Sequence, residues 1–233
     1  MIICLYHGSS FKEVNESQTK VMTDYIKSSF PDHSVTEAYY SKHVLETMVR
    51  RGTPLVSFEQ CLASNYNNEH IYVLITNMMD GEEYKRILDT IAKVDTDNKV
   101  KSTKYLLDKS NIYNLAEAII EKDITTLHIG HGNTINNSDY QMLNDILSES
   151  NNYVTTLKSD IDSVISENLY SKKVLIKPLM ITSAYHAKHD IEVIIKNKCE
   201  QLGYTPTLDL TPLATNKKIL QMCVSNLSEL INN

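Results

Sequence analysis

The chain opens with Ile2-Ile3-Cys4-Leu5-Tyr6-His7-Gly8-Ser9-Ser10, and a stretch of the same character, Ile129-Gly130-His131-Gly132-Asn133-Thr134, occurs in its second half. Each is an apolar run that ends in His-Gly and small polar residues, ahead of a segment with helical spacing. The two histidines are 124 residues apart in a chain of 233 residues. We therefore predict a structural duplication: two α/β halves, residues 1–120 and 121–233, with parallel sheets that face a central cleft.

Strand and helix patterns alternate almost from end to end. Short apolar runs predict strands, and apolar residues at helical spacing predict the segments between them. The predicted strands are 2–6, 35–40, 71–76, 105–107, 125–129, 153–157, 174–181 and 205–210. Pro178 suggests a bulge or an edge position for its strand. The alternation indicates parallel sheets covered by helices on both faces, and the C-terminal helix can pack back on the first half.

Composition excludes several classes of protein. The chain is 42% hydrophobic and 22% charged, with a formal net charge of −6, which is typical of a soluble globular protein and argues against broad nucleic-acid binding. It has no apolar run long enough for a transmembrane helix and no signal-peptide pattern. Its four cysteines form no CxxC pair, which argues against a zinc ribbon or an iron–sulfur site. We expect a cytoplasmic protein without nucleic-acid or membrane partners.

The candidate functional residues follow predicted strands. Ligands of open parallel sheets bind beyond the carboxyl ends of the strands, and His7, Glu83, His131 and His186 follow four such strands. Two histidines and a glutamate that meet over one cleft would suit a divalent transition metal ion and could also accept protons near neutral pH. Structural alternatives remain, because His7 could bind an anion and Glu83 could serve only the helix dipole.

Other chemistries have less support in the sequence. It contains no GxGxxG and no GxxxxGK[ST] motif, so we expect no nucleotide cofactor. A small hydrolase that uses Ser9 with His7 remains an alternative, but the sequence places no acid beside this pair.

At these residues the chain resembles the ATP-independent, single-subunit (class II) chelatases, most closely the anaerobic sirohydrochlorin cobaltochelatases of cobalamin biosynthesis. The segments that carry the resemblance are Leu5-Tyr6-His7-Gly8-Ser9-Ser10, Thr53-Pro54-Leu55, Asp80-Gly81-Glu82-Glu83-Tyr84, Ile129-Gly130-His131-Gly132, and Pro178-Leu179-Met180-Ile181-Thr182-Ser183-Ala184-Tyr185-His186-Ala187 with Asp190. The resemblance implies two flavodoxin-like halves with a tetrapyrrole between them. It also implies cobalt(II) as the metal substrate and a sirohydrochlorin-like tetrapyrrole as the partner.

The resemblance implies roles for individual residues. His131, Glu83 and His186 would hold the metal ion, and His131 would take a pyrrole proton. From the chemistry of metal insertion, we expect Glu83 to balance the charge of the metal ion and to relay the second proton. We expect His7, Ser9, Arg51 and Lys188 to bind the tetrapyrrole, because its many carboxylates need cations and hydrogen-bond donors. The departures from the family pattern are His7-Gly8-Ser9-Ser10, in place of a Phe-Gly-Thr-Ser-like start, and Ala184-Tyr185, in place of Gly-Asp.

Three questions stay open at this point. Iron or nickel could replace cobalt as the metal substrate, because the expected ligands do not select one metal. A noncatalytic carrier of tetrapyrrole or metal could use the same scaffold. A homo-oligomer is also compatible with the sequence.

Overall fold

The structure, a computed structural model, describes residues 1–66, 70–133, 137–159, 161–169, 171–184 and 186–233, with the backbone alone at 167, 168, 186 and 188. These residues form two compact units. The first unit contains Met1–Asp108 and Lys217–Asn233, and the second contains Lys109–Asn216. The C-terminal helix thus belongs to the first unit, whereas residues 109–120 belong to the second.

Four strands and five helices alternate in residues 1–108, as far as the structure describes them. The strands are β1 (Ile2–Tyr6), β2 (Val35–Tyr39), β3 (Ile71–Ile75) and β4 (Val100–Ser102). The helices are α1 (Lys12–Val14), α2 (Lys20–Ser29), α3 (Lys42–Arg50), α4 (Phe58–Asn65) and α5 (Glu82–Val94), and a π-helical segment (Asn15–Thr19) joins the first two.

The same alternation continues through the rest of the described chain. The strands are β5 (Thr126–Gly130), β6 (Asn152–Thr156), β7 (Lys173–Pro178) and β8 (Thr205–Leu208). The helices are α6 (Ile112–Ile119), α7 (Ser138–Ser148), α8 (Ile161–Asn168), α9 (Lys196–Gln201) and α10 (Lys217–Asn232), with a π-helical segment (His186–Ile195) before α9 and a 3₁₀ turn (Leu213–Thr215) before α10.

The two sheets have the same topology. The first has the order β2-β1-β3-β4 and the second the order β6-β5-β7-β8, and neighbouring strands are parallel in both. β1 and β5 therefore occupy equivalent inner positions, and the loops after them lie at the carboxyl edges of their sheets. The predicted α/β class with two parallel sheets is confirmed.

Each unit has its own apolar core. β1 and β3 are buried along their whole length, as expected for inner strands that helices cover on both faces. α10 packs on α2 and β3, and it contributes the buried residues Leu220 and Leu227 to the first unit. The four cysteines are buried and unpaired in disulfides, as the sequence suggested.

Two predictions about strands are wrong. The fourth strand is Val100–Ser102 and not 105–107. Leu106 and Leu107 are buried, but their backbone N–H groups donate to the carbonyl groups of Asn77 and Met78 outside any strand. Pro178 is the last residue of β7, which lies between β5 and β8, so it marks the end of an inner strand and not an edge.

None of the helices in the described part of the chain is long and apolar enough to cross a membrane.

A polar network, buried at His128 and Asn152 and partly exposed at Lys177, links β5, β6 and β7 in the second unit. His128 is 2% exposed, and its Nε2 lies 3.2 Å from Oδ1 of Asn152, an acceptor, so Nε2 carries the hydrogen. Lys177 Nζ lies 2.5 Å from Glu121 Oε1 and 2.9 Å from Asp209 Oδ2. Burial, the dominant effect, lowers the pKa of His128 to about 4. His128 is therefore a neutral core residue at physiological pH.

This pKa predicts an acid-dependent stability of the second unit. Between the ordinary histidine pKa of 6.5 and about 4, the unfolded chain binds a proton at His128 that the folded chain does not bind. The free energy of unfolding should therefore fall as the pH falls through this window, by about 3 kcal/mol in total. Urea unfolding of the wild type and of His128→Gln, measured from pH 7 to pH 4, checks this, because only the wild type should lose this contribution. Parallel pH curves for the two proteins would contradict it.

Candidate functional site

His7 lies at the carboxyl end of β1, where the chain turns sharply. Gly8 has φ +86°, in the left-handed region, and a Cβ at this position would lie 2.8 Å from Tyr39 Cδ1. The Nδ1 atom of His7 lies 3.0 Å from the carbonyl oxygen of Gly8. Because a carbonyl only accepts hydrogen bonds, Nδ1 donates, and in the neutral ring Nε2 carries the lone pair.

Glu83 lies beside His7. It belongs to the first turn of α5, and its Oε1 is 3.4 Å from His7 Nε2 and 3.7 Å from Arg86 Nη2. Burial by itself lowers the pKa of His7, but the hydrogen-bonding and charge effects of Glu83 outweigh it, so that this pKa is raised. His7 and Glu83, expected to have different roles, thus contact each other directly.

Tyr40 and Asn77 complete this part of the site, and the sequence analysis missed both. The Tyr40 ring meets the His7 ring edge-on, with 5.5 Å between centroids. Burial raises the pKa of Tyr40 well above its usual value, the charge of Glu83 adds to this, and a hydrogen bond with Asn77 opposes it. Both residues follow strands of the same sheet, β2 and β3, so the rule that selected His7 could have found them.

His131 lies at the equivalent position in the second unit. It follows β5 as His7 follows β1, and its Nδ1 lies 2.9 Å from the carbonyl oxygen of Gly132. Gly132 has φ +68°. The neutral ring therefore again has its lone pair on Nε2. The turn is supported by Tyr140, a buried residue whose hydroxyl hydrogen-bonds with the backbone of His131 and Gly132.

An asparagine stabilises the loop after each histidine. In the first unit the Asn15 amide accepts from Ser9 N and donates to Ser9 O, each over 2.8 Å. In the second unit Asn137 makes the same two bonds with Asn133, each over 2.9 Å. Ser9 and Asn133 each stand two residues after their histidine. The duplication therefore extends from the sheet topology to the hydrogen bonds of the loops.

The other predicted site residues have different surroundings. Ser9 is 5% exposed, and its hydroxyl accepts a hydrogen bond from Phe11 N over 3.1 Å. Arg51 is exposed, and its guanidinium donates to the Ser10 carbonyl group. The side chains of His186 and Lys188 lie outside the described residues, as does Tyr185, although His186 is the first residue of the π-helical segment.

Among the predicted metal-site and substrate-site residues whose side chains the structure describes, one pair is in recorded contact. This pair is His7 and Glu83, in the first unit, while His131 belongs to the second unit. Among the described side chains, no group of three or more His, Cys, Asp and Glu is placed to hold a metal ion. The expected ligand set of His131, Glu83 and His186 therefore stays a prediction.

Solved structures that share this fold include two proteins with a link to chelatases. The sirohydrochlorin chelatase SirB from Bacillus subtilis subspecies spizizenii, in complex with cobalt, is 11% identical, with a TM-score of 0.62 over 100% of this chain and 95% of that one. DR2241 from Deinococcus radiodurans, a multi-domain protein with structural similarity to chelatases, is 11% identical, with a TM-score of 0.67 over 97% of this chain and 54% of that one. At this identity the likeness concerns the fold alone.

The sequence comparisons give the family. No curated protein matches the chain significantly. The model of the cobalt chelatase (CbiK) family matches residues 1–232, which is almost the entire sequence. The two sheets of identical topology and the paired His-Gly turns agree with this match. The chain belongs to the cobalt chelatase (CbiK) family.

Proposed function

We propose that this chain inserts cobalt(II) into sirohydrochlorin, without ATP, at an early step of anaerobic cobalamin biosynthesis. Membership of the cobalt chelatase family supports the coarser function, the insertion of a metal ion into a tetrapyrrole. The observation that carries the proposal is the family match over residues 1–232, which includes the His131 turn and the Glu83 segment. Cobalt and sirohydrochlorin are the finer part of the proposal.

The reaction needs metal ligands and proton acceptors. Cobalt(II) replaces two pyrrole protons, and neither the metal nor the macrocycle changes its oxidation state. His131, Glu83 and His186 hold the metal ion before transfer, since neutral imidazole and carboxylate suit divalent first-row metals. His131 then takes a proton from a pyrrole nitrogen, and Glu83 balances the charge of the metal ion and relays the second proton.

The geometry of His131 fits this role. Its Nδ1 donates to a carbonyl group of its own turn, which fixes the ring and its tautomer. Metal-binding histidines usually donate their other ring N–H in this way, because the bond orients the ring and makes the ligand nitrogen more basic. A ring held so needs little rearrangement to bind the metal ion or to take up a proton.

The tetrapyrrole is bound through its carboxylates. One N–H group of the Arg51 guanidinium donates to the Ser10 carbonyl group. The other N–H groups of a guanidinium can bind a carboxylate. We assign Lys188 the same task, and His7 and Ser9 to the wall of the binding site. The net charge of −6 allows this, because a few local cations are enough for one ligand.

The experiment is anaerobic incubation of the full chain with sirohydrochlorin and cobalt(II), followed by absorbance. We expect the spectrum of the free macrocycle to change to that of the cobalt complex faster than in the protein-free reaction, without ATP. Parallel reactions with iron(II) and nickel(II) test the choice of metal. Tight binding of the macrocycle with no acceleration would indicate a carrier and would contradict the proposed enzyme.

A further inference from the structure

We propose that the π-helical segment of the first unit, Asn15–Thr19, positions the turn that carries His7. Its first residue, Asn15, and its last residue, Thr19, are positioning residues, because they act through the turn and need not touch the tetrapyrrole. The inference rests on the proposed function in one respect: it takes the tetrapyrrole as the ligand that this turn binds through His7 and Ser9.

The hydrogen bonding of this segment is that of a π turn. The Lys20 N–H group donates to the Asn15 carbonyl group, five residues earlier, whereas in an α-helix the bond reaches four residues back. α1 and α2 flank the segment, so it adds an extra residue to an otherwise α-helical stretch. Turns of this kind are rare and are found frequently at functional sites. The contacts of its two end residues show what the extra residue does.

Asn15 supports the turn through the backbone of Ser9. Its side chain is 4% exposed, and its amide accepts from Ser9 N and donates to Ser9 O, each over 2.8 Å. Ser9 follows Gly8, so these two bonds fix the chain directly after the left-handed residue of the turn. Loss of the Asn15 amide would leave two buried polar groups of Ser9 without these partners, which is costly unless the loop moves.

Thr19 supports the same turn through Tyr39. The Tyr39 hydroxyl donates to Glu37 Oε2 over 2.6 Å, and it lies 3.1 Å from Oγ1 of the fully buried Thr19, from which it can accept. The Tyr39 ring lies directly against Gly8, because a Cβ on Gly8 would be 2.8 Å from Tyr39 Cδ1. A shift of this ring would therefore move the turn or open a gap beside it.

The second unit performs the same two tasks with an α-helix. Asn137, directly before α7, makes the two bonds with the loop, and Tyr140, three residues later, hydrogen-bonds with the backbone of the turn itself. In the first unit the two helical residues, Asn15 and Thr19, are four apart, and the aromatic ring against the turn is that of Tyr39 in β2. The π turn thus provides the spacing that this different arrangement requires.

A regular α-helix would separate the two contacts of the segment. Each residue of an α-helix rotates the chain by about 100°, because one turn takes 3.6 residues. Thr19 is buried together with Thr23 and Ile26 of α2, which fixes its orientation. Removal of one residue between Asn15 and Thr19 would therefore rotate the Asn15 side chain by about 100°, away from Ser9.

The test is the anaerobic insertion of cobalt(II) into sirohydrochlorin by the full chain, with kcat and KM measured separately. Asn15→Leu removes both bonds to Ser9 at a similar side-chain size. We expect it to raise KM for sirohydrochlorin at least about 10-fold with kcat little changed, since misplacement by about 1 Å can cost about 100-fold. A general loss of folded protein would instead lower kcat and leave KM unchanged.

Thr19→Val guards against misfolding, because it keeps the shape of the side chain and removes only the hydroxyl. It should raise KM a few-fold. Thr23→Val is its matched control: Thr23 is buried in the same helical stretch and its hydroxyl bonds with that of Tyr6, so this variant should keep the wild-type KM. Deletion of Ser17, an exposed residue of the π segment, tests the spacing and should raise KM as Asn15→Leu does.

An unchanged KM in both Asn15→Leu and Thr19→Val, or an equal rise in Thr23→Val, would overturn the inference. So would a folded Ser17 deletion variant with the wild-type KM. Failure of the proposed function is distinguishable, because the wild type itself would then insert no cobalt.

Hydrogen exchange of the Ser9 amide tests the positioning without any tetrapyrrole. This N–H group donates to Asn15 Oδ1, so it should exchange at least about 10-fold faster in Asn15→Leu than in the wild type or in Thr23→Val. Equal exchange in all three proteins would show that Asn15 does not hold the turn, and it would overturn the inference whatever the reaction.

Discussion

Replacing His131 with alanine should lower the rate of cobalt insertion by at least about 100-fold while the protein stays folded. The change removes a proposed metal ligand and the proposed proton acceptor at once, and a positioned acid–base group alone typically contributes about 10²–10⁴-fold. The ring lies on the surface of its unit, so its loss removes little buried apolar contact. The initial rate under anaerobic conditions, measured over a range of sirohydrochlorin concentrations, gives kcat and KM for both proteins.

A matched control separates this role from a general effect of losing a histidine. His43 is also exposed, lies in α3 and belongs to no candidate site, so His43→Ala should keep the wild-type rate. Thermal unfolding of both variants checks that they fold. If His131→Ala inserts cobalt as fast as the wild type, His131 is neither a metal ligand nor the proton acceptor of the reaction.

The sequence predicted the sheets well because buried strands are short and strongly apolar. β1 and β3 are uninterrupted apolar runs, and such runs have few alternatives in a chain with regular helical segments between them. β4 was misplaced for a physical reason. It is three residues long and includes the partly exposed Lys101, so it lacks a strong apolar pattern. Leu106 and Leu107 have such a pattern because they are buried, but they lie in a loop.

The site was less predictable than the sheets. Its histidines were found because they follow strands, but the contact between His7 and Glu83 depends on how α5 leaves β3, which no local pattern shows. The paired hydrogen bonds that Asn15 and Asn137 make with the loop backbone were not predicted. Asn15 lies six residues after its partner and Asn137 lies four residues after its partner, so the two share no common spacing. Such bonds are settled by the tertiary structure of each loop.

Gly132→Ala should destabilise the second unit by about 3 kcal/mol. Gly132 has φ +68°, where an L side chain costs roughly 1–2 kcal/mol. Its Cβ would also lie 2.5 Å from Thr156 Cβ, so β6 or the turn has to shift, and overpacking of this kind costs about 1–3 kcal/mol. Urea unfolding measures the loss. The shift also moves His131, so the rate of cobalt insertion should fall even where the variant is fully folded.

Three other glycines distinguish the cost of a left-handed backbone from the cost of steric overlap. Gly52 also has a left-handed φ, +71°, but a Cβ there meets nothing within 4 Å, so Gly52→Ala should cost only about 1–2 kcal/mol. Gly81 is extended and equally open, and Gly81→Ala should be close to neutral. Gly8, the counterpart of Gly132, has both features, so Gly8→Ala should exceed Gly52→Ala within the same unit. Equal losses at Gly8 and Gly52 would mean that backbone strain alone decides, and that the close approach of Tyr39 to Gly8 contributes nothing to the loss of stability.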